Sequence, residues 1–120
     1  MKIYCLGNED IELDSMALKI ADKLNIPGVE FIKTDSLENI EGDIIIMDVI
    51  KGIKEVKLIR GLDQIKEFYP ITAHDCDLGM ELKLRKAINQ IERVTIIGVP
   101  MKGNIEDISE QVKKNIKNIK

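Results

Sequence analysis

Aromatic residues make up only 3% of this 120-residue chain: two Tyr, two Phe and no Trp. That scarcity removes the stacking platforms on which single-stranded nucleic acids are held. No excess of positive charge stands in for them. The chain has 18 Lys and Arg against 21 Asp and Glu, a formal net charge of −3, so the basic footprint of a nucleic-acid binder is missing. Long hydrophobic runs are missing too. The longest strictly apolar stretch, Ile44-Ile45-Ile46-Met47, falls far short of the roughly 20 residues that cross a bilayer. The opening MKIYCLG has an apolar run too short for a signal-peptide core. Cys5 and Cys76 lie far apart and form no CxxC, a usage that favours a reducing cytoplasm.

What is present is aliphatic. Apolar residues reach 44% and charged residues 32%, which suits a folded domain rather than a disordered chain. Residues 1–120 are expected to form a single domain with a core that needs neither disulfide nor structural metal. Lys2 to Leu6 read as a strand ended by the Gly7-Asn8 turn signal. Leu13, Met16, Ala17, Ile20, Ala21 and Leu24 follow at helical spacing and stop at Asn25 and Pro27-Gly28. Val29 to Lys33 alternate as a half-buried strand does. Thr34-Asp35-Ser36 suggests the cap of a short turn or helix. The Ile44 to Met47 run, within Asp43 to Val49, fits a central strand buried on both faces.

After the Lys51-Gly52 turn, Val56 to Arg60 predict a fourth strand. The short connection predicts that it pairs antiparallel with the third. A helix is expected over Leu78 to Ile91, a buried strand over Val94 to Val99, and an amphipathic helix striped by Ile105, Ile108, Val112, Ile116 and Ile119. This order predicts a three-layer α/β/α domain, with a mostly parallel sheet of about five strands and one antiparallel strand. Such sheets bind ligands beyond the carboxyl ends of their strands.

Three residues are expected at that edge: Asp14 in the first turn of the first helix, Asp48 directly after the apolar run, and His74, the only histidine. Two carboxylates and an imidazole form a donor set suited to a divalent metal such as zinc or nickel. Each also has a plainer use, in complementing a helix dipole, ending a strand or capping a helix. A carboxylate that follows a fully apolar strand is the most suggestive, because burial demands a partner. Gly7-Asn8 is no GxGxxG and no GK[ST] follows, so a phosphate cradle is poorly supported. His74-Asp75-Cys76 makes a weak thiol-nucleophile candidate, because adjacent positions do not usually face each other.

In this order and setting, the three positions resemble the hydrogenase maturation proteases. Leu6-Gly7-Asn8 looks like that family's opening turn, with Asp14 six positions on. Ile45-Ile46-Met47-Asp48 matches its third-strand Asp, Thr72-Ala73-His74-Asp75-Cys76-Asp77-Leu78 its His, and Ile96-Ile97-Gly98-Val99 its closing strand. The resemblance implies an endopeptidase that removes the C-terminal extension of a nickel-iron hydrogenase large-subunit precursor after nickel insertion. Asp14, Asp48 and His74 would recognise the metal, and Gly7, Asn8, Asp75 and Pro100 would lie on the substrate rim. The implied nickel comes with the substrate, with zinc or another divalent metal able to take its place. Leu13 stands where the family usually has a second acid, and Ser15 and Ala17 where it has glycines. The lost glycines and the abbreviated segment after Pro100 favour the alternative, a non-catalytic assembly factor of the same fold that binds a metal centre, whereas the intact trio favours the protease.

Overall fold

The computed structural model describes residues 1–7, 10, 11, 15–34, 40, 42–61, 64 and 91–119. Five strands and two helices follow in the order β1 (Lys2–Cys5), α1 (Met16–Lys23), β2 (Glu30–Lys33), β3 (Gly42–Ile50), β4 (Lys57–Arg60), β5 (Ile91–Pro100) and α2 (Ile105–Ile119). The strands form one sheet in the order β2-β1-β3-β5-β4. Neighbours are parallel except β4, which runs antiparallel to β5. The chain thus has the expected α/β architecture with one antiparallel strand.

The partner of that strand differs from expectation: β4 pairs with β5, not with β3. β3 has no free edge to offer. β1 occupies one side through Tyr4↔Ile46 and Cys5↔Met47, and β5 occupies the other from Gly42↔Ile91 to Ile50↔Pro100. Residue 91, expected to end a helix, begins β5 instead. The rest of that helix, residues 78–90, and the turn expected around Asp35 and Ser36 lie outside the described residues.

Alternation along the strands builds two apolar rows, one on each face of the sheet. Tyr4, Ile46, Ile96 and Ile59 run side by side across four strands on one face, and Cys5, Met47, Ile97 and Leu58 on the other. The Ile44 to Met47 run is therefore buried from both sides, with Ile46 and Met47 wholly inaccessible. The second row lies beneath both helices. Met16, Ala17, Leu18 and Ile20 of α1 and Ile108, Val112 and Ile116 of α2 pack there with Ile3, Cys5, Met47, Ile97 and Val99. Fully burying each such side chain contributes roughly 1.5–3 kcal/mol.

Local chemistry sets the helix ends. α1 opens behind Ser15, whose carbonyl accepts from Lys19 N–H at 3.0 Å. Its first turn carries no acidic residue; Leu13 and Asp14, expected within it, lie outside the described residues. Asn104 caps α2, its Oδ1 accepting from the N–H groups of Glu106 at 2.9 Å and Asp107 at 3.1 Å. Glu106 and Asp107 then complement the helix dipole, as Lys117 does at the other end.

One polar group breaks the pattern. Ser109 is buried on the inner side of α2, and its Oγ has no hydrogen-bond partner among the described residues. A buried hydroxyl without a partner carries a desolvation penalty of about 1–3 kcal/mol, and Ala is the better helix former. Ser109→Ala is therefore expected to leave stability unchanged or to raise it by about 1 kcal/mol. Chemical denaturation checks this, and a clear loss of stability would show that the hydroxyl is paired.

Candidate functional site

From β1 the chain moves outward to β2, then returns past β1 to lay down β3. The order of strands therefore reverses between β1 and β3. In open α/β sheets the crevice at such a reversal, beyond the carboxyl ends of the strands, is where ligands bind. Here those ends are Cys5, Lys33, Ile50 and Pro100, and the N-termini of α1 and α2 open toward the same edge.

Asp48 stands at this reversal. It is half-buried, two positions from the end of β3 and on the same face as Ile46 and Ile50. Its parallel partner on β5 is Gly98. On the other side β1 follows β3 for one residue beyond the Cys5↔Met47 pair, as Leu6 N–H donates to Met47 O at 2.9 Å. Leu6 packs with the same apolar cluster as Ile46 and Ile50. Leu6, Ile46, Ile50 and Gly98 are thus its neighbours in the sheet on that face. A carboxylate at this edge can gain from a cation brought to the crevice.

Gly7 follows at φ +146°, a backbone conformation that side-chain-bearing residues rarely adopt. This turn lets β1 leave β3 at the crevice. Pro100, opposite Ile50, is buried where β5 ends. Ser15 and Ala17 are also buried, Ala17 completely.

Asp48 is the one member of the expected metal trio among the described residues; Asp14 and His74 lie outside them, as do Asn8 and Asp75. No three His, Cys, Asp or Glu side chains among the described residues group to hold a metal ion. The oxygen donor of Asp48 suits a divalent cation that brings or finds its remaining ligands elsewhere. Gly98 and Ile50, which shape the surroundings of Asp48, carry no individual signal in the sequence. Their role depends on the β3–β5 register, which periodicity along one strand does not encode.

Cys5 lies on the opposite face of the sheet from Asp48. It is a free thiol, fully buried, with its Sγ 3.6 Å from Ile3 O. Burial pushes the thiol up from the ordinary 9.0 to about 12; Lys33 opposes this and Asp22 adds to it, both more weakly. Below pH 9 the thiol is protonated in both folded and unfolded chains, so folding is not penalised. Above pH 9 the unfolded chain ionises first, and stability falls until about pH 12. Between about pH 8 and about pH 10.5 wild type should lose roughly 2 kcal/mol more than Cys5→Ala, at about 1.36 kcal/mol per pH unit. Urea unfolding at the two pH values checks this, and equal losses would refute the assignment.

A cavity of about 390 Å³ opens at the other edge of the sheet, lined by Asp43, Arg60, Arg93 and Thr95 among others. Arg60 Nη2 there donates to Asn118 O at 3.2 Å, near the C-terminal end of α2. This cavity faces away from the strand reversal and from Asp48. No helix among the described residues is long and apolar enough to cross a membrane.

No family model matches the chain, and no curated protein matches it. Solved structures do. The NiFe hydrogenase maturation protease HybD from Thermococcus kodakarensis superposes with a TM-score of 0.66 at 20% identity, over 99% of both chains. The hydrogenase maturating endopeptidase HybD from E. coli gives 0.64 at 18% identity, over 99% of this chain and 94% of that one. The endopeptidase HycI from Escherichia coli gives 0.66 at 20% identity, over 98% and 90%. The resemblance seen in Leu6-Gly7-Asn8, Asp48 and the closing strand therefore extends through the backbone, and the chain has the fold of the hydrogenase maturation proteases.

Proposed function

We propose that this chain is a cytoplasmic endopeptidase that removes the C-terminal extension of a nickel-iron hydrogenase large-subunit precursor after nickel insertion. The observation that carries the reading is the place of Asp48: a half-buried acidic residue near the carboxyl end of the central strand, at the strand reversal of a fold shared with named maturation endopeptidases. Asp14 and His74 complete the recognition set in this proposal.

The nickel belongs to the substrate. Before it is inserted, the precursor offers the carboxylates no cation, and their desolvation opposes docking. After insertion, two carboxylates and a neutral imidazole meet a divalent ion, and the same desolvation strengthens the contact. Recognition is thereby conditional on metal loading, and docking holds the precursor's tail near the crevice. The roles assigned to Asp14, Asp48 and His74 are in recognition; none of them is assigned the attack on the scissile carbonyl.

The test is incubation of nickel-loaded and nickel-free precursor with wild type, Asp48→Asn and His74→Ala, followed by electrophoresis or mass measurement of the large subunit. Wild type should shorten only the loaded precursor. Tight binding of the loaded precursor without shortening would identify the assembly factor instead.

A further inference from the structure

The edge of the sheet away from the crevice gathers polar side chains of its own. Ile45, Thr95 and Arg60 lie side by side across β3, β5 and β4. They stand two residues along from Met47, Ile97 and Leu58, and so on the same helix-covered face. Ile45 and Ile119, the last residue of α2, both pack against the core beneath the helices. Beyond them opens the cavity of about 390 Å³, whose lining includes Asp43, Ile45, Arg60, Arg93, Thr95 and Ile119.

The charges around this cavity do not balance. Two guanidinium groups and one carboxylate line it, which leaves a surplus of one positive charge. Among the described residues no ion pair joins Asp43 to either arginine. Arg60 is anchored, because its Nη2 donates to Asn118 O at 3.2 Å. That bond uses only one of the five N–H donors of a guanidinium. Arg93 is two residues from Thr95, the partner of Arg60, so the two arginines are diagonal neighbours with Cα atoms roughly 7–8 Å apart. Side chains of this length reach one another across a diagonal, and their like charges repel until an anion between them accepts from both.

We propose that this cavity binds a small aliphatic carboxylate, its head held by Arg60 and Arg93 and its body lying against Ile45 and Ile119. The site is separate from the crevice at Asp48 and does not depend on the function proposed for it. A planar guanidinium fork matches a carboxylate in shape as well as in charge. The half-buried Thr95 between the arginines adds a hydroxyl donor. A single negative charge cancels the surplus, whereas the roughly −1.5 to −2 charge of a phosphomonoester overshoots it and is repelled by Asp43. The volume lies near the lower end of the roughly 300–1,000 Å³ of small-ligand sites, which suits a short-chain acid.

The test uses the full chain, labelled with nitrogen-15 and followed by two-dimensional NMR. Butyrate and propyl phosphate are titrated separately through the millimolar range, with sodium chloride at matched ionic strength as the control. Butyrate is expected to shift the amides of Ile45, Arg60 and Thr95 along a saturating curve and to leave those of Leu6 and Asp48 unmoved. Arg93→Gln removes one charged donor and should weaken butyrate by about tenfold. Asp43→Asn should tighten propyl phosphate relative to wild type. Should Arg93→Gln not fold, Arg93→Lys keeps the charge without the planar fork, and it too should weaken butyrate. Shifts no larger than those from chloride would overturn the proposal, as would equal butyrate affinity in wild type and the Arg93 variants. Tighter binding of propyl phosphate than of butyrate by wild type would overturn the choice of a carboxylate.

Discussion

Asp48→Asn is expected to lower kcat/KM for nickel-loaded precursor by roughly 30- to 5,000-fold while leaving the fold intact. The substitution keeps the size and planarity of the side chain and removes its charge. Losing one partner of a buried charged contact costs about 2–5 kcal/mol, which sets the range at about 1.4 kcal/mol per tenfold. The residue is only half-buried, and an amide of the same shape leaves the apolar packing along β3 in place. A loss of activity with no loss of stability separates a recognition residue from a packing residue. Thermal melts and the processing assay on one preparation check both halves. Full processing by both Asp48→Asn and His74→Ala would end the site assignment.

The second large effect lies two positions back along β3. Ile46→Ala should destabilise the fold by about 3–5 kcal/mol, in the upper part of the range for truncating a buried Ile. Ile46 is completely inaccessible and sits in the Tyr4, Ile46, Ile96 and Ile59 row on the central strand. Sheet hydrogen bonding fixes the backbone on both sides of it, so the neighbours have little freedom to close the gap. Ile45→Ala removes the same atoms from a half-buried position on the other face, and should cost less than half as much. Urea unfolding midpoints at unchanged slope provide the comparison. Equal losses at the two positions would show that the rows do not carry the core.

These two residues also show what the sequence conveys. The Ile44 to Met47 run, with Asp48 at its end, identifies a doubly buried strand and a carboxylate at its carboxyl side, because both features are local. The helix over Ile105 to Ile119 is equally plain from its stripe, and the structure gives it the same limits. Pairing is not local. Nothing in Val56 to Arg60 distinguishes β3 from β5 as a partner; the choice follows from β1 and β5 already flanking β3. The same limit hides the close approach at Gly98, where the Ile50 side chain occupies the space a Cβ would need. Asp14 and His74 are linked to Asp48 by the carboxyl edge that the element order predicts for all three and by the family resemblance; both lie outside the described residues.

The β4 edge carries a consequence for assembly. The Val56 N–H just before the strand is taken by Gln111 Oε1 at 2.8 Å, and the Arg60 N–H at its end by Gln64 Oε1 at 2.7 Å. Both amides point away from β5, toward the place where a foreign strand would add. Gln111 belongs to α2, the last element of the chain. Seating that helix therefore does two things at once, covering the sheet face and stoppering the strand margin. An intermediate with a formed sheet but an undocked C-terminal helix would present a sticky border to its neighbours, so the final helix also acts as the chain's safeguard against self-association.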